Sequence, residues 1–253
     1  MKKFLFSAFM ASFLLASCGN ANLNLDYNPA EYQKAVAENL FGTDIRKIDI
    51  TWISGDVELR YYDGDRIRVT ESAAGTLNDT TSMYIKNFHG ELDIQFAKNG
   101  KHNSRTFTDL NKKLIIEIPE NHRFTEIEIE LVGASLVSDG LASDKIDIES
   151  VSGKIELTNP ACGNLDVQSV SGNINLSFSA LPGKTDIESV SGAVEIIVPA
   201  KSGFILEKDD FACAFECDIP YSHKDRETLL FGDGGSKIDV DMAGGSLKIA
   251  GSR

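Results

Sequence analysis

From about residue 44 to the C-terminus, apolar and polar residues alternate with a period of two, and at regular intervals the phase changes. In Ile146-Asp147-Ile148-Glu149-Ser150-Val151-Ser152-Gly153-Lys154-Ile155-Glu156-Leu157, the set Ile146, Ile148, Ser150 gives way to Val151, Gly153, Ile155, Leu157. Alternation of this kind marks a half-buried strand. The phase change makes the neighbours Ser150 and Val151 both inward positions. A straight strand cannot do that, so the spacing predicts a bend.

The pattern repeats. Copies at 165–176 and 185–196 carry the same Ser-Val-Ser-Gly core, the three cores starting at 150, 169 and 189. Weaker copies begin at Ile48, Ile85, Ile127 and Ile238, the second of them around Phe88-His89-Gly90. A two-residue hairpin at each core would set Val151 opposite Lys154 and Val170 opposite Asn173, a poor pairing. A solenoid corner instead stacks Val151, Val170 and Val190 as an inward ladder and lines up the glycines. The expected fold is therefore all-β, a single-stranded β-helix or β-solenoid. Its coils have about 20 residues and form a rod about 45–50 Å long.

Exposed sheet edges at the ends of such a rod need covers. Asn28 as N-cap, Pro29 at the first helical position and Gly42 beyond the end predict a helix over 28–42, with Tyr32, Val36 and Leu40 on one face and a capping role. The tract 97–113, carrying Lys98, Lys101, Arg105, Lys112 and Lys113, reads as a projecting loop or hairpin tip.

The N-terminus differs in kind. Lys2 and Lys3 precede a short apolar stretch from Phe4 to Leu15, and Leu15-Ala16-Ser17-Cys18 follows. This predicts a lipoprotein signal peptide over 1–17, with Cys18 as the lipid (palmitate-type) attachment point and a tether over 18–27. The solenoid then occupies 43–253. Gly19 stands where an enteric inner-membrane retention signal places Asp, and no acidic run follows. An outer-membrane lipoprotein facing the periplasm is expected, with surface exposure as the alternative. The net charge is −13, and loss of Lys2 and Lys3 takes it to −15. So acidic a chain argues against nucleic acid as a partner.

Composition adds little chemistry. Beyond Cys18 there are Cys162, Cys213 and Cys217, and the last two would lie about 13 Å apart on a straight strand. Either they are free thiols, or a turn at Ala214-Phe215-Glu216 joins them in a disulfide. The four histidines show no ligand spacing with the cysteines, and none accompanies Ser150, Ser169 and Ser189 at a fixed offset. Asp147, Asp166 and Asp186 occupy equivalent outward positions and would stack about 5 Å apart. They are the weak metal candidates, with Ca²⁺ the one cofactor in view, set against a solvated acidic face that needs none.

Trp52-Ile53-Ser54-Gly55-Asp56-Val57-Glu58-Leu59, the following Tyr62-Asp63-Gly64-Asp65-Arg66-Ile67 and the Ser-Val-Ser-Gly repeats resemble an adhesin-like family of bacterial β-strand repeat proteins over about residues 44–250. The resemblance implies a right-handed β-helix of unassigned activity and brings no catalytic residues. Two functional classes follow. One is a non-catalytic envelope module that binds an envelope protein or a polysaccharide and is tied to the membrane through its lipid. The other is a glycan-active enzyme on a parallel β-helix, which would gather acidic, basic and aromatic side chains in a groove.

Overall fold

The computed structural model describes residues 22–208 and 214–252. The chain opens with β1 (Asn22–Leu25), a 3-10 turn at Pro29–Glu31, β2 (Gln33–Lys34) and β3 (Glu38–Phe41), then runs into the 16-residue β4 (Lys47–Tyr62). β5 (Ile67–Ser72), β6 (Tyr84–Phe88), β7 (Glu91–Gln95), β8 (Gly100–Asn103), helix α1 (Ser104–Leu110) and β9 (Lys113–Pro119) lead to a second 16-residue strand, β10 (Phe124–Asp139).

The regular coils follow as β11 (Ser143–Ser152) with β12 (Ile155–Thr158), β13 (Asn164–Ser171) with β14 (Ile174–Ser177), and β15 (Lys184–Ser191) with β16 (Ala193–Pro199). β17 (Phe204–Lys208), β18 (Ala214–Cys217), β19 (Ser222–His223), β20 (Thr228–Phe231), β21 (Ser236–Met242) and β22 (Ser246–Ser252) complete the chain.

The strands build a β-solenoid with two parallel ladders meeting at the bend. Before the bend the spatial order is β7, β4, β10, β11, β13, β15, β21, β17. After it the order is β9, β4, β10, β12, β14, β16, β22, β18. In-register pairing makes columns of like side chains: Ile50, Ile129, Ile148, Val167 and Ile187 stack on one side, and Val57, Leu136, Ile155, Ile174 and Val194 on the other. All are buried, each contributing about 1.5–3 kcal/mol.

Chain order and spatial order diverge at both ends. β4 lies inside the coil formed by the later β7 and β9, and the last coil, β21 with β22, is inserted between β15–β16 and β17–β18. Antiparallel strands then cover the outermost coils: β6 on β7, β5 on β9, and β20 on β17. Edges so covered cannot template further pairing.

Three local expectations are corrected. The stretch 28–42 is not a helix: the Asn28 cap and Pro29 hold one 3-10 turn, in which Asn28 Oδ1 accepts from Ala30 N at 3.3 Å, and β2 and β3 follow. Val36 and Leu40 stay exposed, so no apolar stripe is available to reward a longer helix. Instead β2 and β3 pair with β6 and β5 as the outer edge of the rod. Second, Phe88-His89-Gly90 is no solenoid corner. His89 (φ 52°) and Gly90 (φ 81°) both take positive φ and close the antiparallel β6–β7 hairpin.

Third, the inward valine ladder holds only in part. Ser150, Ser169 and Ser189 are wholly buried and Val151 is buried, whereas Val170 and Val190 are only partly so. The third residue of the motif ties coil to coil: Ser152, Ser171 and Ser191 donate Oγ hydrogen bonds to the carbonyls of Val132, Val151 and Val170 at 3.1, 3.2 and 3.2 Å. The glycine takes φ of +120°, +145° and +129° at 153, 172 and 192, and a Cβ there would strike the carbonyl of the coil beneath.

Candidate functional site

The outward faces of the first ladder carry one carboxylate per coil. Register aligns Asp93 with Asp49, Asp49 with Glu128, and Glu128 with Asp147. The row continues through Asp166, Asp186 and Asp239 to Glu207. Two residues along each strand runs a second row that includes Glu130, Glu149, Glu188 and Asp241. In the first row sequence reasoning named Asp147, Asp166 and Asp186; its other members were legible in principle, because Asp49, Glu128 and Asp239 hold the same position in their weaker copies.

Neighbouring strands lie about 4.8 Å apart, so the carboxylates crowd. Burial, then the nearby Asp93 and Glu128, push Asp49 up to about 7. Burial, with Asp49 and Glu149, pushes Glu130 up to about 8. Burial, with Asp147 and Asp186, pushes Asp166 up to about 6. Asp93 and Glu128 are also raised, chiefly by burial.

A partial lysine row relieves the crowding two residues upstream. Lys145 reaches Asp147 at 3.1 Å, Lys184 pairs with Asp186, and Lys237 lies 2.8 Å from Glu207 and 3.7 Å from Asp239. In the coil of Asp166 this position is Asn164, so the rise that burial and then Asp147 and Asp186 impose on that carboxylate is not offset by a lysine at the equivalent position. At the other end of the row the Tyr32 hydroxyl donates to Asp93, so the N-terminal strap closes over the start of the ladder.

A groove of about 200 Å³ lies over Asp166, Asp186, Glu188, Asp239 and Asp241, with Lys184 and Ile187 on its wall. Asp147, Asp166 and Asp186 are thus brought into one line, as expected. They do not converge on a point: among the described residues no group of three His, Cys, Asp or Glu side chains could hold a metal ion. Such a line can accept cationic groups along its length and can share protons between neighbours.

The other named residues do not join this row. Cys18 and Cys213 lie outside the described residues. Cys217 is a half-buried free thiol whose Sγ lies 3.3 Å from the Ile219 carbonyl. Burial pushes the Cys162 thiol up to about 11, away from reactivity. The Ser150, Ser169 and Ser189 hydroxyls face the interior, not a groove.

The tract 97–113 holds the main residue that sequence reasoning missed. Part of it does project, as β8, but it returns to the core. Phe107 is buried against Phe96, which packs edge-on to Trp52, with centroids 4.8 Å apart in both pairs. Lys112 is wholly buried. Its ammonium pairs with Glu71, donates to the carbonyls of Thr81 (2.8 Å) and Phe96, and sits 3.9 and 4.9 Å from the centroids of Phe96 and Trp52. Burial pushes it down to about 8. With its donors committed, this is a structural clasp and not a catalytic base.

Residues 133–210 match the Toastrack DUF4097 family. No curated protein matches the chain. Among solved structures, a "putative cell adhesion protein" from Clostridium sporogenes aligns with a TM-score of 0.53 at 11% identity, covering 87% of this chain and 100% of that one. A "putative adhesin" from Bacteroides fragilis covers 88% of this chain and 100% of its own at 9% identity, with a TM-score of 0.35. At such identities the Clostridium likeness speaks for the fold. The chain is a β-repeat protein that resembles the Toastrack DUF4097 family over residues 133–210 and is similar in fold to the Clostridium protein.

Proposed function

We propose that this chain is an envelope lipoprotein, acylated at Cys18 after removal of residues 1–17. Its solenoid, coiled in the right-handed sense that parallel crossovers favour, is a non-catalytic module that binds an envelope protein or polysaccharide. One observation supports this over a glycan-active enzyme. The outward carboxylates form uniform rows along the coils, one per strand, rather than one cluster; the cleft of about 530 Å³ that does bring Tyr62, Asp63, Asp65, Glu120, His122 and Arg123 together is where glycan cleavage would have to be sought. The outer membrane, with the domain facing the periplasm, is the location that fits Gly19 after Cys18.

Labelling with palmitate tests the anchor: incorporation into the native chain and its loss in Cys18→Ser are expected, and equal labelling of both refutes it. Protease treatment of intact cells tests the side of the membrane, with rapid digestion placing the domain on the surface. Immobilised envelope polysaccharides and envelope proteins test the module. Saturable binding without turnover is expected, and glycan cleavage by the purified chain rules the reading out.

A further inference from the structure

β1 forms a two-stranded antiparallel ribbon with β8, Asn22 against Asn103 and Leu25 against Gly100. Leu25 is buried, Tyr27 Oη donates to the Ala97 carbonyl at 2.9 Å, and the Asn99 amide donates to the Tyr27 carbonyl. The ribbon belongs to the bend edge of the first coil, where the Ser54 hydroxyl donates to the Phe107 carbonyl at 3.0 Å. Only residues 19–21 stand between Cys18 and Asn22, where this ribbon starts, a reach of about 14 Å at full extension. An acylated Cys18 therefore leaves the solenoid little freedom to stand off from the bilayer.

The same edge carries Lys98 and Lys101, both exposed, and Arg105 lies on the adjoining α1. Of the other basic residues in this tract, Lys112 is turned into the core and Lys113 is held by Glu58 at 2.6 Å. Asp26, Asp56 and Asp109 are exposed acids nearby, and Asp79, beside Lys98, is paired with Lys34, so the charges here are close to balanced on a chain of net charge −13. The carboxylate row lies on the flat of the first ladder, about 20 Å back along β4 from the bend glycine Gly55 to Asp49.

We propose that the bend edge bearing Lys98 and Lys101 faces an anionic phospholipid surface, with the carboxylate row turned away. This rests on the lipid-anchor reading. Close tethering forces some face of the first coil against the headgroups. A surface potential of tens of millivolts that decays within a Debye length then selects the edge with lysines and rejects the face with aspartates.

The test separates orientation from acylation. The mature chain is held at residue 18 by a hexahistidine tag on nickel-chelating vesicles, with or without about 30% phosphatidylglycerol. Amine-labelling rates are then read lysine by lysine. On anionic vesicles Lys98 and Lys101 should label at least about fivefold more slowly than on neutral ones, with recovery in about 0.5 M NaCl. Lys184, on the carboxylate face, and Lys201, at the far end, should label equally on both. Unchanged rates at Lys98 and Lys101 overturn the proposal, as does equal protection of Lys184, which would lay the rod on its acidic face. Loss of palmitate labelling in cells would refute the anchor alone, and the tagged chain would still decide the orientation.

Discussion

Lys112 and Glu71 meet inside the core, the ammonium over the faces of Trp52 and Phe96 and the carboxylate also accepting from the Met83 amide at 3.1 and 3.0 Å. Removing one partner strands the other, at a cost of about 3–5 kcal/mol. Lys112→Met should therefore destabilise by that amount in denaturant melts. The double variant Lys112→Met/Glu71→Gln should recover part of the loss. Additive losses would show that the two residues act independently.

The stacked glycines predict a sharp contrast between neighbouring sites. Gly172 has a φ of +145° and its Cβ would collide with the Gly153 carbonyl, whereas a Cβ at Gly133 would meet the Ile53 carbonyl at an ordinary 3.5 Å and needs no positive φ. Gly172→Ala should lower stability by about 2 kcal/mol or more, from clash and strain together. Gly133→Ala should change it by less than about 0.5 kcal/mol. Equal melting temperatures for the two variants would contradict the close approach of the coils.

Val167 and Val170 differ by three residues and by an environment. Val167 is fully buried between Ile148 and Ile187, while Val170 sits at the partly exposed rim of the corner. Val167→Asp buries an unpaired charge and should unfold the central coils. Val170→Thr should cost less than about 1 kcal/mol. A large loss from Val170→Thr in thermal melts would restore Val170 as an inward residue beside the buried Ser169.

The carboxylate row sets the pH dependence. Asp49, Glu130 and Asp166 titrate at about 7, 8 and 6 in the fold, against about 4 in an unfolded chain. The folded state holds the extra protons between these limits, so stability falls as pH rises from about 4 to 8. The Tm should be higher at pH 5.5 than at pH 8.5, and Asp49→Asn with Glu130→Gln should flatten the difference. A Tm that rises with pH over this interval would refute the crowding.

The central coils were readable because Ser-Val-Ser-Gly repeats under local rules, a phase change that demands a bend, an inward serine and a glycine where no Cβ fits; the rim position of Val170 and Val190 and the second serine's reach to the next coil were not read from it. The ends were not, because fold-back of β7–β9 and of β21–β22 is settled by contacts across tens of residues and leaves no periodic trace. Asn28 and Pro29 did start a helical turn, and the failure lay in assuming a surface for Val36 and Leu40 to bury. Lys112 was invisible for a related reason. In a tract rich in lysine nothing local distinguishes the one that meets Trp52 and Glu71.

The order of the coils also governs how such a molecule can be made and enlarged. β4 must wait for residues up to 139 before both its edges are filled, and β17–β18 gains a parallel neighbour only when the final strands arrive. A chain threading through a membrane from its N-terminus would thus complete its N-terminal end by residue 139, then the regular middle, and the far end last. By the same logic a duplicated repeat placed directly after β21–β22 would find both edges of that coil already filled by β15–β16 and β17–β18, and this solenoid lengthens most simply from within.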